Sequence, residues 1–248
     1  MDADPRYTPH RELSPHYRDL SGKQPFLRQV FDDSAAHYER IASWSFFGTG
    51  NWYRKVALRR AGLASGMRIA DIAAGTGITA RAAANIVGGP ELVTCVEPSL
   101  GMLRESERRL PARHVQGCAD ALPLNDAEFD FVSMGFALRH VENLHTAFAE
   151  FRRVLKPGGR LLIMDITKPE GRLGNQFVKF YFRDFVPRFT RLITGSREAH
   201  YLMDYYWKTL DQMVPPKTVL DALSAAGFAE PRRHVELGIF SEYTASNP

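Results

Sequence analysis

The sequence predicts an α/β protein built on a doubly wound parallel sheet, with helices ahead of it and a helical cap inserted late in the chain. Three observations carry this. Short apolar runs alternate with helix-like segments from Arg68 to Ile166, the rhythm of strand–helix–strand units. The run Ile69-Ala70-Asp71-Ile72-Ala73 enters a glycine turn, Ala74-Gly75-Thr76-Gly77, followed by an Ala-rich segment from Ala80 to Ile86. A second apolar run, Val93-Thr94-Cys95-Val96, then ends in Glu97. Glycines let a backbone approach a ligand closely, and an acid after the second strand can accept both hydroxyls of a ribose. The unit therefore reads as a site for an adenosine.

The remaining elements follow in order. Residues 1 to about 22 are polar and carry Pro5, Pro9 and Pro15, which reads as a flexible arm; residues 23–248 read as one domain. Apolar spacing at Phe26, Val30, Phe31, Tyr38 and Ile41 predicts a helix from Gln24 to Ala42. Ser45 to Gly50 reads as a loop and Asn51 to Ala61 as a second helix, making 23–62 an N-terminal helical region. Strands are predicted at Arg68–Ala73, Leu92–Glu97, His114–Gly117, Phe129–Phe136 and Arg160–Ile166. Helices fall at Thr79–Val87, Ser99–Leu110 and Asn143–Leu155, and Lys156-Pro157-Gly158-Gly159 is the turn into the last of these strands. Residues 170–214, rich in aromatics and arginines, break the rhythm and read as inserted helices. Val219 to Ala226 is a helix closed by Gly227; Phe228–Val235 and Gly238–Thr244 form a closing strand pair.

Composition narrows the class. A chain of 248 residues that is 44% hydrophobic and 24% charged can bury an ordinary globular core. Its two cysteines, Cys95 and Cys118, have neither metal-ligand spacing nor a disulfide framework, which fits a reducing compartment. Met1-Asp2-Ala3-Asp4-Pro5 is unlike a signal or transit peptide, and no apolar run is long enough for a membrane-spanning helix. The net charge of +4 permits attraction to anionic lipid without requiring it. The basic doublets Arg108-Arg109 and Arg152-Arg153 read as solvated helix faces, and without a long basic stripe nucleic acid is not an expected partner. His140 and His145 lack the i, i+4 spacing of a helical metal pair, so no metal site is expected.

The glycine turn is not a dinucleotide fingerprint, because the third position after Gly77 is Ala80, and no Gly-Lys-Ser/Thr follows to make a P-loop. It suits a ligand without a pyrophosphate; the alternative is a turn that needs only positive φ. In Gly117-Cys118-Ala119-Asp120-Ala121-Leu122-Pro123 an acid lies just past the third strand. It can bond an adenine amino group or cap a short helical turn, and the two readings are compatible.

These segments resemble the class I S-adenosylmethionine-dependent methyltransferases, which have a Rossmann-like sheet, and more closely the ubiquinone/menaquinone C-methyltransferase family. The resemblance runs from about Val30 to Tyr243. It is carried by Val30-Phe31-Asp32 with Tyr38, Asp71 through Gly77, Glu97 through Leu103, and Ala119 through Pro123. Phe129-Asp130, Gly135 through Val141, Arg153 through Gly159, and Ala226-Gly227-Phe228 complete it. The glycine loop and the Lys-Pro-Gly-Gly turn specify the superfamily; the stretch around Phe136–His140 is more specific to the quinone branch. Departures concentrate on the acceptor side. The family commonly reads Phe-Gly-Leu-Arg-Asn where this chain has Phe136-Ala137-Leu138-Arg139-His140, and Leu-Glu-Phe-Ser where it has Met164-Asp165-Ile166-Thr167.

The resemblance implies S-adenosyl-L-methionine as donor. By position, Asp71, Ala73, Gly75, Thr76 and Gly77 would surround its methionine part, Glu97 with Pro98 its ribose, and Met102, Asp120 and Ala121 its adenine. The implied acceptor is a quinol or related phenol, methylated at a ring carbon. O- or N-methyl transfer in secondary metabolism, or another use of the donor, stay open. The catalytic candidates are His140 as base, Arg139 as stabiliser of a developing phenolate and Tyr38 as an orienting group. The competing readings are a backbone-bonded His140 and an Arg139 in a salt bridge. The implied setting is cytoplasmic, with homodimerisation common in the family. In the insert, Phe177, Tyr181, Phe185 and Phe189 form a helical stripe beside Arg183, Arg188 and Arg191. It reads either as a cap packed on the core or as a lid that meets lipid at the inner face of a membrane.

Overall fold

The computed structural model describes residues 4–10, 20–45, 49–169, 171–185, 205 and 207–248. Helices α1 (Leu20–Ser45) and α2 (Gly50–Arg60) precede the sheet. The alternating part comprises β1 (Ile69–Ile72), α3 (Ile78–Val87), β2 (Val93–Glu97), α4 (Leu100–Glu107), β3 (Arg113–Gln116), β4 (Phe129–Gly135), α5 (Leu144–Val154) and β5 (Leu155–Ile166). After α6 (Arg172–Lys179) come α7 (Pro216–Ala225), β6 (Ala229–Glu236) and β7 (Phe240–Ser246). The strand order is β3-β2-β1-β4-β5-β7-β6. The first five strands are parallel, and β7 runs antiparallel between β5 and β6. The expected α/β class and doubly wound sheet are therefore present, with an antiparallel pair at one edge.

The central strands are apolar because both faces are covered. Every residue of β1 and β2 is buried. One face packs α5 and α7 through Phe148, Phe151, Val219 and Leu223. The other packs α2 and α3 through Leu58, Ala80, Ala83 and Val87. The alanine-rich α3 lies close on the sheet for want of bulky side chains.

Four expectations change. Lys156–Gly159 is part of β5, entered through a register irregularity against β4 between Phe129 and Phe131. The irregularity is clasped by Asn247, whose side-chain amide donates to the carbonyls of Leu155 (2.9 Å) and Lys156 (3.2 Å). Residues 4–10 do not lie loose: Tyr7 stacks on His145 at 5.9 Å, Asn143 donates to the Asp4 carbonyl at 2.9 Å, and His10 is buried. These contacts use backbone carbonyls and one ring, which leave no periodic signal. The doublets are not solvated faces throughout. Arg153 donates to the carbonyls of Leu122 (2.9 Å) and Leu124 (2.8 Å), pinning the loop that carries Asp120, and Arg109 pairs with Glu39 at 3.3 Å.

The insert changes winding. Residues Phe180–Phe185 form a π-helical turn, so a 3.6-residue stripe does not continue through them. Val178 is the residue buried on the core; Phe180 and Phe185 are 57% and 41% exposed. Tyr181 and Phe185 still stack, at 5.7 Å. Phe189, Arg188, Arg191 and the Phe177 side chain lie outside the described residues, as do Tyr201, Tyr206, the Ile41 side chain and part of the loop between α1 and α2.

Replacing Asn247 with Ala strands the buried carbonyl of Leu155 and is expected to cost about 1–3 kcal/mol, read as a lower urea midpoint at unchanged m-value.

Candidate active site

The order of strands reverses between β1 and β4, and the crevice beyond their carboxyl ends is where open α/β sheets bind ligands. Three residues of the first loop have positive φ: Ala73 (54°), Gly75 (57°) and Gly77 (81°). The two glycines serve different ends. A Cβ on Gly75 would meet nothing within 4 Å, so its backbone faces open space. A Cβ on Gly77 would fall 2.5 Å from Ser106 Oγ, so that glycine is required by packing of α3 on α4.

Glu97 ties this loop to the end of β2. Its Oε2 accepts from Gly75 N at 2.9 Å and its Oε1 from Ser99 N at 3.0 Å. Each carboxylate oxygen keeps a further lone pair. The Ser99 hydroxyl accepts from Met102 N at 3.1 Å, starting α4, and donates to Asp32 of α1 at 2.5 Å. Burial pushes the Glu97 carboxyl up to about 7, against the two backbone amides that lower it. Asp71 is likewise raised to about 7 by burial, although Ser133 Oγ donates to its Oδ1 at 2.7 Å. Both carboxyls hold their proton more tightly folded than unfolded, so each withdraws stability as the pH rises from its unfolded value through about 7.

A cavity opens over this loop. Ala73, Gly75, Glu97, Pro98, Met102 and Asp120 line it, as do Tyr38 and His140. Asp71, Thr76, Gly77, Ala121 and Arg139 do not. Asp71 and Thr76 are buried beside the loop, and Asp71 Oδ2 and Thr76 Oγ1 have no hydrogen-bond partner among the described residues. Ala121 is exposed. The Asp120 carboxylate accepts from the backbone amides of Glu142 and Asn143, both at 3.2 Å. It thereby braces the loop after β4 while lining the cavity.

Arg139 is found in the salt bridge of its competing reading. It is 3% exposed and pairs with buried Asp165 at 3.1 Å. The departure Met164-Asp165 thus supplies its counter-charge. His140 closes the 3-10 turn Leu138–His140. Its ring stacks on Tyr205 at 5.9 Å and meets Phe31 edge-on at 5.3 Å. Its Nδ1 is buried with no partner among the described residues. Burial, with the nearby charges of Arg139 and Lys23, holds its pKa well below the usual histidine value, so the ring is neutral. Burial raises the Tyr38 hydroxyl, which stays protonated.

Sequence reasoning did not assign roles to Lys23, Gln24, Asp32 or Tyr205. Only Lys23 left a signal: it falls on the inward stripe of α1, four residues before buried Leu27.

A doubly wound sheet with an open glycine loop, an acid after β2 and a cavity between them defines an S-adenosylmethionine-dependent methyltransferase. The chain belongs to the ubiE/COQ5 methyltransferase family, whose model matches residues 19–244. It is 32% identical over 238 residues, 91% of each chain, to the ubiquinone/menaquinone biosynthesis C-methyltransferase UbiE of Pseudomonas entomophila. A Thermotoga maritima structure described as a SAM-dependent methyltransferase, possible histamine N-methyltransferase, shares the fold with a TM-score of 0.64. It is 21% identical and matches 89% of this chain and 99% of its own. Phosphoethanolamine N-methyltransferase 2 of Haemonchus contortus, solved with S-adenosyl-L-methionine, has a TM-score of 0.60 at 17% identity, over 88% of this chain and 60% of its own. The residues fit that donor. The Gly75 backbone is open to the cavity, Glu97 retains acceptor capacity for hydroxyls, and the unpaired oxygens of Asp71 and Thr76 flank the loop.

Because Glu97 binds hydroxyls best when ionised, affinity for S-adenosylhomocysteine is expected to rise about tenfold between about pH 6 and pH 8, measured by calorimetry. Glu97→Gln should bind more weakly at pH 8 and lose most of this dependence; a flat wild-type profile would contradict the assignment.

Proposed function

We propose that this enzyme transfers a methyl group to a ring carbon of a quinol or related phenol in quinone biosynthesis. The observation that carries this is the 91% coverage of both chains in the match to a protein named for ubiquinone/menaquinone C-methylation. The cavity supports it: Phe31, Phe136 and His140 line it beside the carboxylate of Glu97, an environment for an aromatic ring.

S-adenosylmethionine, when bound, supplies an electrophilic methyl carbon. Glu97 would hold the ribose hydroxyls, Met102 the adenine and the Gly75 backbone the methionine part. Tyr38, protonated, donates a hydrogen bond to the acceptor's oxygen. His140, neutral at physiological pH, lines the cavity and takes the proton that the ring loses. Arg139, paired with Asp165, acts from beneath the turn: its charge favours a phenolate but also lowers the basicity of His140.

The acceptor's lipid tail gives the insert a role. Exposed Phe180 and Phe185 alternate with exposed Lys179 and Arg183, a combination suited to an anionic lipid surface. Among the described residues no helix is long and apolar enough to cross a membrane, so contact would be peripheral, at the cytoplasmic face.

With a short-chain demethylated quinol, mass spectrometry should show a product one methyl group heavier, with the label on carbon. His140→Ala should lower kcat by about 10²–10⁴-fold; a loss within about threefold would remove His140 as base. Anionic liposomes should retain the protein at low salt and release it as salt screens the attraction, whereas zwitterionic liposomes should not retain it.

A further inference from the structure

Lys23 is a long cationic side chain in the wrong place. It lies on the inward stripe of α1 with Leu27, and its side chain is wholly buried. A buried ammonium is costly unless its hydrogen bonds and charge are met. They are met in one place. Nζ donates to the carbonyl of Val141 at 2.8 Å and to that of Arg139 at 3.5 Å. The neighbouring Gln24 donates from Nε2 to the carbonyl of His140 at 3.4 Å. Two adjacent residues of α1 therefore gather three consecutive carbonyls, those of residues 139–141.

These carbonyls end the Leu138–His140 turn. A helical turn leaves its last carbonyls without internal partners, and here the sequel cannot supply them, because the chain runs on extended from Val141. On the opposite side, the carboxylate of Asp120 takes the amides of Glu142 and Asn143. The loop after β4 is thus held by a cation on its carbonyls and an anion on its amides. The negative charges of Asp120 and Glu142 also act on Lys23, while burial brings its pKa down to about 8. At the centre of this brace is His140, the residue whose ring faces the cavity.

We propose that Lys23 is a positioning residue for the methyl transfer, fixing the backbone of residues 139–141 so that the His140 ring is presented to the acceptor between Phe31 and Tyr205. This rests on the reading of His140 as the base. Lys23 itself does not line the cavity and touches neither reactant. It differs from a simple anchor for α1 in what its loss should change. An anchor affects the amount of folded protein; a positioning residue affects the orientation of one ring in protein that stays folded.

The test uses Lys23→Met, which is one atom shorter, keeps an apolar unbranched stem and removes the charge and all three donors. The first readout is free of catalysis: imidazole carbon–proton correlations by NMR, with the His140 signal assigned through His140→Gln. The expected result is a displaced or exchange-broadened His140 signal with unmoved signals for His114 and His234, and S-adenosylhomocysteine affinity within threefold of wild type. The second readout is turnover of a short-chain demethylated quinol, with kcat at least tenfold lower and the donor KM within threefold. Combined with His140→Gln, Lys23→Met should add little further loss, since both act through one group. If Lys23→Met does not fold, Lys23→Gln is read in the same way; its donor is one atom shorter, cannot reach two carbonyls and carries no charge. An unmoved His140 signal in whichever variant folds overturns the proposal. So does an unchanged kcat in a protein whose only defect is a lower Tm. A moved His140 signal in a protein that turns over no quinol would uphold the brace and count against the proposed acceptor instead.

Discussion

The reversal of strand order between β1 and β4 is the constraint on which the rest of the site depends. Going one way, the chain lays down β2 and β3; going the other, it lays down β4 and β5. The two loops that leave β1 and β4 must therefore diverge, and the space between them is the cavity. Neither loop can relax into an ordinary connection. Ala73 and Phe136, each just past the end of its strand, both adopt positive φ, a strain that bulky L-residues tolerate only where surroundings impose it. For Phe136 the surroundings are visible: its ring packs with Tyr53 and Phe240 and lies under the guanidinium of Arg54 at 4.8 Å.

Around that opening the protein spends charge below the surface. Asp71, Glu97, Arg139, Asp165 and Lys23 are all buried. Glu97 and Lys23 are met by backbone groups, Asp71 by the Ser133 hydroxyl, and Arg139 and Asp165 by each other. The pattern explains why several residues of the donor motif stand behind the cavity rather than in it. Asp71 ties β1 to β4 through Ser133 just before the first loop. A motif residue can serve a ligand by shaping the backbone that meets it.

The sheet was legible because its signals are local. Apolar runs such as Ile69–Ile72 and Val93–Val96, a glycine turn and an Ala-rich helix each declare themselves within ten residues. That Gly75 and Glu97 line the cavity followed too, since they sit where the strand ends put them. What escaped was long-range. Nothing local says that Tyr205 will stack on His140, that Asn247 will hold the start of β5, or that Asp165 will claim Arg139. The π-turn at Phe180 defeated a periodic reading because the period itself changes there. Lys23 drew no expectation, because periodicity is normally judged on apolar residues alone.

The place of β7 in the sheet has a consequence for the nascent chain. Because β7 pairs with β5 along Arg160–Ile166 but lies far downstream of it, the ribosome must deliver the insert, α7 and β6 before that pairing can form. Throughout that interval β5 is an edge strand with a bare, strongly apolar ladder, the kind of surface on which chains stick to one another. The interior position of a late strand thus makes closure of the sheet wait on the insert, α7 and β6.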